Sequence, residues 1–290
     1  MNSFKGIILS GGTGSRFFPV TKSISKQLLA IYNKPMIYYS LSILMLMGIR
    51  EILVITRPDE KKLYQKLLGT GKNFGVKFDY IVQPKPGGIA ESFLLGKKFI
   101  EKKNIVLILG DNFFYGKNLE KILKKTVKKN QNGASIFISK TKKPQSFGVV
   151  EIDKKNKILS IVEKPKKPKS NYIVTGLYVY DNSVINLTKK LKYSKRGELE
   201  ITDLNNMYLK QKKLQGIKLK SNIKWMDNGN SDALLETSNF VRSTENKEKK
   251  LLFSPEAIAL KNKWIDKHQL KKNLEKLKNS DYGKSLMRLI

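Results

Sequence analysis

The sequence contains no cysteine, which removes disulfides, thiolate metal sites and cysteine nucleophiles from consideration. Its single histidine, His268, cannot build a histidine metal cluster by itself, so zinc chemistry is not expected. No apolar run reaches the roughly 20 residues that a bilayer-spanning helix needs. The chain opens on a strand-like run, Gly6–Ser10, without a cleavable leader, and a cytoplasmic protein with no membrane partner is expected. Arginine is scarce: Arg16, Arg50, Arg57, Arg196, Arg242 and Arg288 are the only ones among 57 basic residues. Against 24 acidic residues the formal charge is +33. Nucleic-acid readers rely on arginine forks and basic–aromatic stripes, whereas this excess is lysine scattered beside many asparagines. It reads as a solvated surface that attracts anions non-specifically, with no specific nucleic-acid partner; a basic nucleic-acid-binding protein is the distant alternative.

What is present is enough apolar residue, 40% of 290, to bury a sizeable core. Apolar runs alternate with helical patterns through the first half. Strands are expected at Gly6–Ser10, Glu51–Thr56, Lys77–Val82 and Val106–Leu109, and helices at Met36–Gly48, Glu60–Leu68 and Ala90–Ile100. That order implies an α/β fold, a Rossmann-like, mostly parallel mixed sheet flanked by helices. Ligands of such sheets bind at the carboxyl ends of the strands. From Ser135 to Tyr180 the pattern turns to short β-rich runs between Lys/Pro loops, which would extend the sheet and cover the site. Beyond Trp225 it is helical, over Asp232–Thr244 and Trp264–Lys278 with a short helix opened by Ser254-Pro255. A single domain, 1–290, is expected, with a core at 1–130, a second part at 131–230 and a helical C-terminal region at 231–290.

The strongest local signal is the glycine turn Gly11-Gly12-Thr13-Gly14-Ser15-Arg16 directly after the first strand. Glycines there let backbone N–H groups approach a phosphate, and a helix following the turn would add its positive end. The turn fits neither standard nucleotide motif, because Phe17 stands where a dinucleotide fingerprint needs glycine and no Gly-Lys-Ser/Thr follows as in a P-loop. Asp111 follows the apolar strand Val106–Leu109, and Asp227 follows Trp225-Met226, so each carboxylate is a candidate for a magnesium ion.

From Gly11 through Arg16, Pro19, Thr21 and Lys26 to Leu29, and on through Tyr32–Tyr39, the chain resembles the N-terminal signature of the sugar nucleotidyltransferases, most closely the glucose-1-phosphate thymidylyltransferases. The resemblance continues through Val82–Pro84, Leu109–Asn112, Phe147–Glu151, Glu163–Pro165, Thr175–Tyr178, Arg196–Asp203 and Trp225–Asp227. It implies transfer of dTMP from dTTP to glucose 1-phosphate with Mg2+ held by Asp111 and Asp227, as the first step toward dTDP-rhamnose or a related deoxysugar for polysaccharide synthesis. UTP or another sugar 1-phosphate is the alternative. The catalytic set it implies is Arg16, Lys26, Asp111, Lys164 and Asp227. Leu9, Gly11, Gly12, Thr13, Gly14, Ser15, Arg16, Gln83, Pro86, Gly88 and Asp111 would bind the nucleotide. Lys26, Asn112, Gly148, Glu163, Lys164, Val174, Thr175, Gly176, Tyr178 and Trp225 would take the sugar phosphate. The family is commonly a homotetramer with a second, regulatory nucleotide site, which here would involve Tyr115, Gly116, Lys117 and Glu256. Gly87 and Glu91 stand where the family usually carries Asp and Gln.

Overall fold

The computed structural model describes residues 4–290, so the first three positions of the expected 1–130 core lie outside the described residues. Strand β1 (Phe4–Ser10) leads through the glycine turn to a small hairpin of β2 (Ala30–Ile31) and β3 (Lys34–Pro35), then to α1 (Met36–Leu46). Next come β4 (Glu51–Thr56), α2 (Lys61–Leu68), β5 (Lys77–Val82), the short helices α3 (Glu91–Leu95) and α4 (Lys97–Ile100), and β6 (Asn104–Leu109). They are followed by β7 (Asn112–Gly116), α5 (Leu119–Lys129), β8 (Ala134–Lys140), β9 (Gly148–Ile152), β10 (Ile158–Glu163) and β11 (Tyr172–Tyr180). The chain ends with α6 (Val184–Thr188), α7 (Ile201–Lys210), β12 (Leu214–Lys218), β13 (Ile223–Asp227), α8 (Ser231–Glu248), α9 (Pro255–Lys261), α10 (Lys267–Leu274) and α11 (Asp281–Met287).

One mixed sheet runs in the order β10-β9-β11-β6-β1-β4-β5, with β8 against β11 and β12 beyond β8. Pairing is parallel from β6 through β1 and β4 to β5, and antiparallel where β11 joins β6. The central strands are apolar on both faces because helices cover both. Alternation along them divides the core. Ile8, Ile52, Val54, Val106 and Ile108 pack toward α1, α9 and α10, while Ile7, Leu53, Ile55, Ile105 and Leu107 pack toward α3, α6 and α7. Helix α1 is buried on nearly every side, as its almost uninterrupted apolar sequence requires.

Two helices differ from expectation. The pattern over Ala90–Ile100 is interrupted at Gly96, whose ψ of 2° steps the chain from α3 to α4. The expected Trp264–Lys278 helix is shorter, since Asp266 caps α10 by accepting from Gln269 N at 2.7 Å. The sequence pattern also did not expose α7 or the two-stranded ribbon of β7 and β13, which lies beside the main sheet.

Candidate active site

Strands β1, β4, β5 and β6 are parallel and in register, with Ser10 opposite Thr56, Thr56 opposite Val82 and Leu9 opposite Leu109. Their carboxyl ends therefore deliver Gly11, Gln83 and Asp111 to one edge. There they line a cavity of about 210 Å³ together with Leu9, Gly12, Lys26, Gln27, Pro86, Gly88 and Glu198. A Cβ on Gly11 would stand 2.2 Å from Gln83 Oε1, so a larger residue there would displace the Gln83 amide. Gly14 turns the chain at φ 65°, with its carbonyl accepting from Thr21 Oγ1 at 2.7 Å. The expected α-helix after the turn is absent. Ser15–Phe17 make one 3₁₀ turn, and Phe18 is extended (ψ 141°) ahead of Pro19, because a residue before proline avoids the helical region. Any phosphate held here meets turn N–H groups, without the field of a long helix.

Asp111 is the meeting point. Its Oδ2 lies 2.5 Å from Lys26 Nζ, and its Oδ1 accepts from Asn112 Nδ2 at 3.0 Å. Ribbon pairing sets Asp227 opposite Asn112, and Asn228 fastens the junction by donating from N (3.1 Å) and Nδ2 (2.9 Å) to the Asp111 carbonyl. Burial, and then the neighbouring Asp111 charge, push the Asp227 carboxyl up to about 7, while Lys26 and Arg16 pull it down. Arg16 faces that carboxylate: a Cβ on Gly229 would be 3.0 Å from both Arg16 Nη1 and Asp227 Oδ2. Asn228 Oδ1 is buried with no partner among the described residues.

Asn112 then links this edge to the second half of the cleft. Its Oδ1 accepts from Gly176 N at 2.9 Å and Trp225 Nε1 at 2.6 Å, and a Cβ on Gly176 would be 2.6 Å from its Nδ2. Trp225 meets Phe147 edge-on at 5.4 Å between centroids. Glu163 Oε2 accepts from Thr202 Oγ1 at 2.5 Å, and its Oε1 is 3.7 Å from Arg196 and 3.8 Å from Lys164. Gly148 passes beneath them, where a Cβ would be 3.0 Å from Thr202 Oγ1. Lys164 takes φ 42° while its N–H donates to Phe147 O at 3.0 Å. The buried Tyr178 phenol is driven upward by desolvation first and then by the Glu163 and Asp111 charges. Thr175 turns its hydroxyl away from the cleft, donating to Phe137 O at 3.1 Å, so it offers the cleft no side-chain group.

A family model described as nucleotidyl transferase matches residues 5–244. The chain belongs to the nucleotidyl transferase family. The glucose-1-phosphate thymidylyltransferase of Neisseria gonorrhoeae is 46% identical over 286 residues, covering 99% of each chain. That of Mycolicibacterium smegmatis is 44% identical over 286 residues, again covering 99% of each. Among solved structures, a Bacillus anthracis protein assigned as a glucose-1-phosphate thymidylyltransferase and crystallised with sucrose superposes with a TM-score of 0.76 at 41% identity, covering 82% of this chain and 95% of that one. A UDP-glucose pyrophosphorylase bound to UDP-glucose gives a TM-score of 0.74 at 24% identity, covering 84% of this chain and all of that one, which shows the shared fold.

Within this nucleotidyltransferase the sequence had assigned no role to Thr202, Arg196, Asn228 or Glu198. Thr202 and Arg196 lie in the motif Arg196–Asp203, but their partner Glu163 becomes visible only when α7 docks on β10. Of the four positions expected at a regulatory site, Tyr115 and Glu256 are held by partners within the chain. Tyr115 hydrogen-bonds Glu248, and burial, then Glu248, push its phenol up to about 12. Glu256 is buried, accepting from Ser254 Oγ at 3.1 Å and from the Tyr282 hydroxyl; desolvation raises its carboxyl. Its carboxylate is thus turned to the interior of the α9–α11 packing.

Proposed function

We propose that this nucleotidyltransferase is a glucose-1-phosphate thymidylyltransferase, converting dTTP and α-D-glucose 1-phosphate to dTDP-glucose and pyrophosphate. The sugar phosphate oxygen attacks the α-phosphorus of dTTP, the bond to the bridging oxygen breaks, and pyrophosphate leaves. What carries the reading is the convergence on Asp111, where Lys26, Asn112 and the Asp227 ribbon join the glycine-turn cavity to the Glu163 half of the cleft. Relatives with that name match along the whole chain.

The glycine turn receives the triphosphate through its N–H groups, and Arg16 and Lys26 neutralise phosphate oxygens as charge moves onto the leaving pyrophosphate. Gln83 and the loop Pro86–Gly88 receive the base. Glu163, held by Thr202, takes sugar hydroxyls, and Lys164 the sugar phosphate, while Trp225 and Tyr178 fix the walls. Holding both reactants in one cleft makes the attack effectively unimolecular. Asp111 and Asp227 would hold Mg2+. Two carboxylates brought together across the ribbon, one pushed up to about 7, present hard oxygen ligands and excess negative charge, which suits that ion. Such an ion would complete its shell from phosphate and water. When bound, Mg2+ supplies Lewis-acid neutralisation of phosphate charge.

Residues 1–130 act as the nucleotide-binding part, 131–230 as the sugar-binding part and 231–290 as a helical buttress. The protein works as a homotetramer in the cytoplasm, feeding a dTDP-deoxysugar pathway such as that of rhamnose; no helix among the described residues is long and apolar enough to cross a membrane. UTP is the second reading, favoured by Gln83, whose amide meets an edge that uracil and thymine share. Pyrophosphate release with Mg2+ and glucose 1-phosphate, offered dTTP, UTP, ATP, CTP or GTP singly, decides: preference for dTTP supports the proposal, preference for UTP supports the second reading, and no turnover by folded protein overturns both.

A further inference from the structure

The base-facing group of the cavity is held in one orientation by a residue outside it. Gln83 is only 4% exposed, and its Nε2 donates to Glu91 Oε2 at 2.7 Å and more weakly to Gly88 O at 3.4 Å. A carboxylate only accepts hydrogen bonds, so the amide NH2 has to face Glu91. Its Oε1 is then directed at Gly11 on the cavity wall, where it has no donor among the described residues. An acceptor on a cavity wall with no protein partner is left to water or to a donor that a ligand supplies.

The surroundings fit this geometry. Glu91 reaches Gln83 across Gly87, where an added Cβ would lie 2.2 Å from the Glu91 carboxylate. The loop backbone itself is secured independently, by Leu199 N to Gly87 O at 2.8 Å and Ala90 N to Leu199 O at 3.2 Å. Losing the Glu91 carboxylate would therefore free the amide to rotate while the loop stayed in place.

We propose that Glu91 is a positioning residue that sets base specificity: by taking Nε2 it presents Gln83 Oε1 to the nucleotide, admitting bases with a ring N–H, thymine and uracil, and disfavouring cytosine. This rests on reading the cavity as the nucleotide site. Thymine and uracil offer N3–H to the carbonyl oxygen, whereas cytosine offers a lone pair at N3, so two acceptors would face each other. With Glu91→Gln the residue at 91 can donate as well as accept, Gln83 can turn over, and the distinction weakens.

Calorimetric titration of dTTP and dCTP with Mg2+ and without sugar phosphate tests this on the full chain. Wild type should favour dTTP, and Glu91→Gln should lose about tenfold or more of that preference. Gly87→Ala, which pushes the carboxylate aside without changing it, should do the same. The exchanged pair Gln83→Glu with Glu91→Gln, where residue 91 donates and residue 83 still offers an oxygen, should regain the preference. Equal weakening of both nucleotides in Glu91→Gln and Gly87→Ala would leave only a structural role for Glu91 and overturn the inference. Wild type that binds neither nucleotide would overturn the site reading, and the inference with it.

Discussion

Lys26 Nζ and Asp111 Oδ2 are 2.5 Å apart, and both side chains are largely withdrawn from water, at 13% and 14% exposure. One group proposed to neutralise phosphate is thus paired with one proposed to hold the metal. Each keeps the other in position before substrate arrives, and the lysine passes its charge to phosphate once the carboxylate has a cation. Lys26→Ala removes the phosphate partner and leaves a buried carboxylate unpaired. We expect kcat/KM to fall by about 100-fold or more, measured by initial rates of pyrophosphate release at saturating Mg2+.

Asp227 gives the site a pH signature. Its carboxyl is raised to about 7 from the ordinary 3.8, so between those values the folded chain holds a proton that the unfolded chain has released. The metal-free protein should accordingly lose stability as pH rises through this window. Asp227→Asn should flatten that dependence and raise metal-free stability above pH 7 by on the order of 2 kcal/mol, while abolishing turnover. Thermal melts of both proteins between pH 5 and 8, without Mg2+, check the sign; an unchanged slope in the variant would contradict it.

Thr202 is nearly fully buried, with its hydroxyl donating to Glu163 at 2.5 Å. Thr202→Val removes that charge-assisted bond with little change of shape. The KM for glucose 1-phosphate should rise about tenfold and the KM for dTTP should stay put. Steady-state kinetics with each substrate varied in turn separates the two.

Lys34 and Glu245 form a buried ion pair at 2.8 Å that fastens the β2–β3 hairpin to α8. Asn33 Nδ2 and Leu252 N also donate to Glu245, at 2.7 and 2.8 Å, and burial lowers the Lys34 ammonium against the pull of Glu245. Glu245→Ala strands the lysine in the interior and should destabilise the fold by about 3–5 kcal/mol, read from urea unfolding.

How far the molecule could be read from its sequence depended on the range of the interactions involved. Glu51–Thr56 and Lys77–Val82 end where their apolar runs and flanking turn residues place the ends, since strand character there is local. Gly11 and Asp111 were legible as candidates because parallel strands deliver their carboxyl ends to one edge, whereas Gln83 was a candidate only through the family resemblance. The ribbon that brings Asp227 to Asp111 was not, because Ile223–Asp227 pairs with a strand distant in the chain and neither strand alternates cleanly. The same holds for Thr202 beside Glu163 and Glu91 beside Gln83. Their spacing in sequence carries no signal, and only the docking of α7 and the turn at Gly87 and Gly88 create the contacts.

The most direct test follows product formation by mass in a reaction of dTTP, glucose 1-phosphate and Mg2+, with wild type beside Asp111→Asn and Asp227→Asn. Wild type should form dTDP-glucose and pyrophosphate in equal amounts, and both variants, though folded, should be slower by about 100-fold or more. Wild type forming no dTDP-glucose, or variants turning over at its rate, would contradict the account.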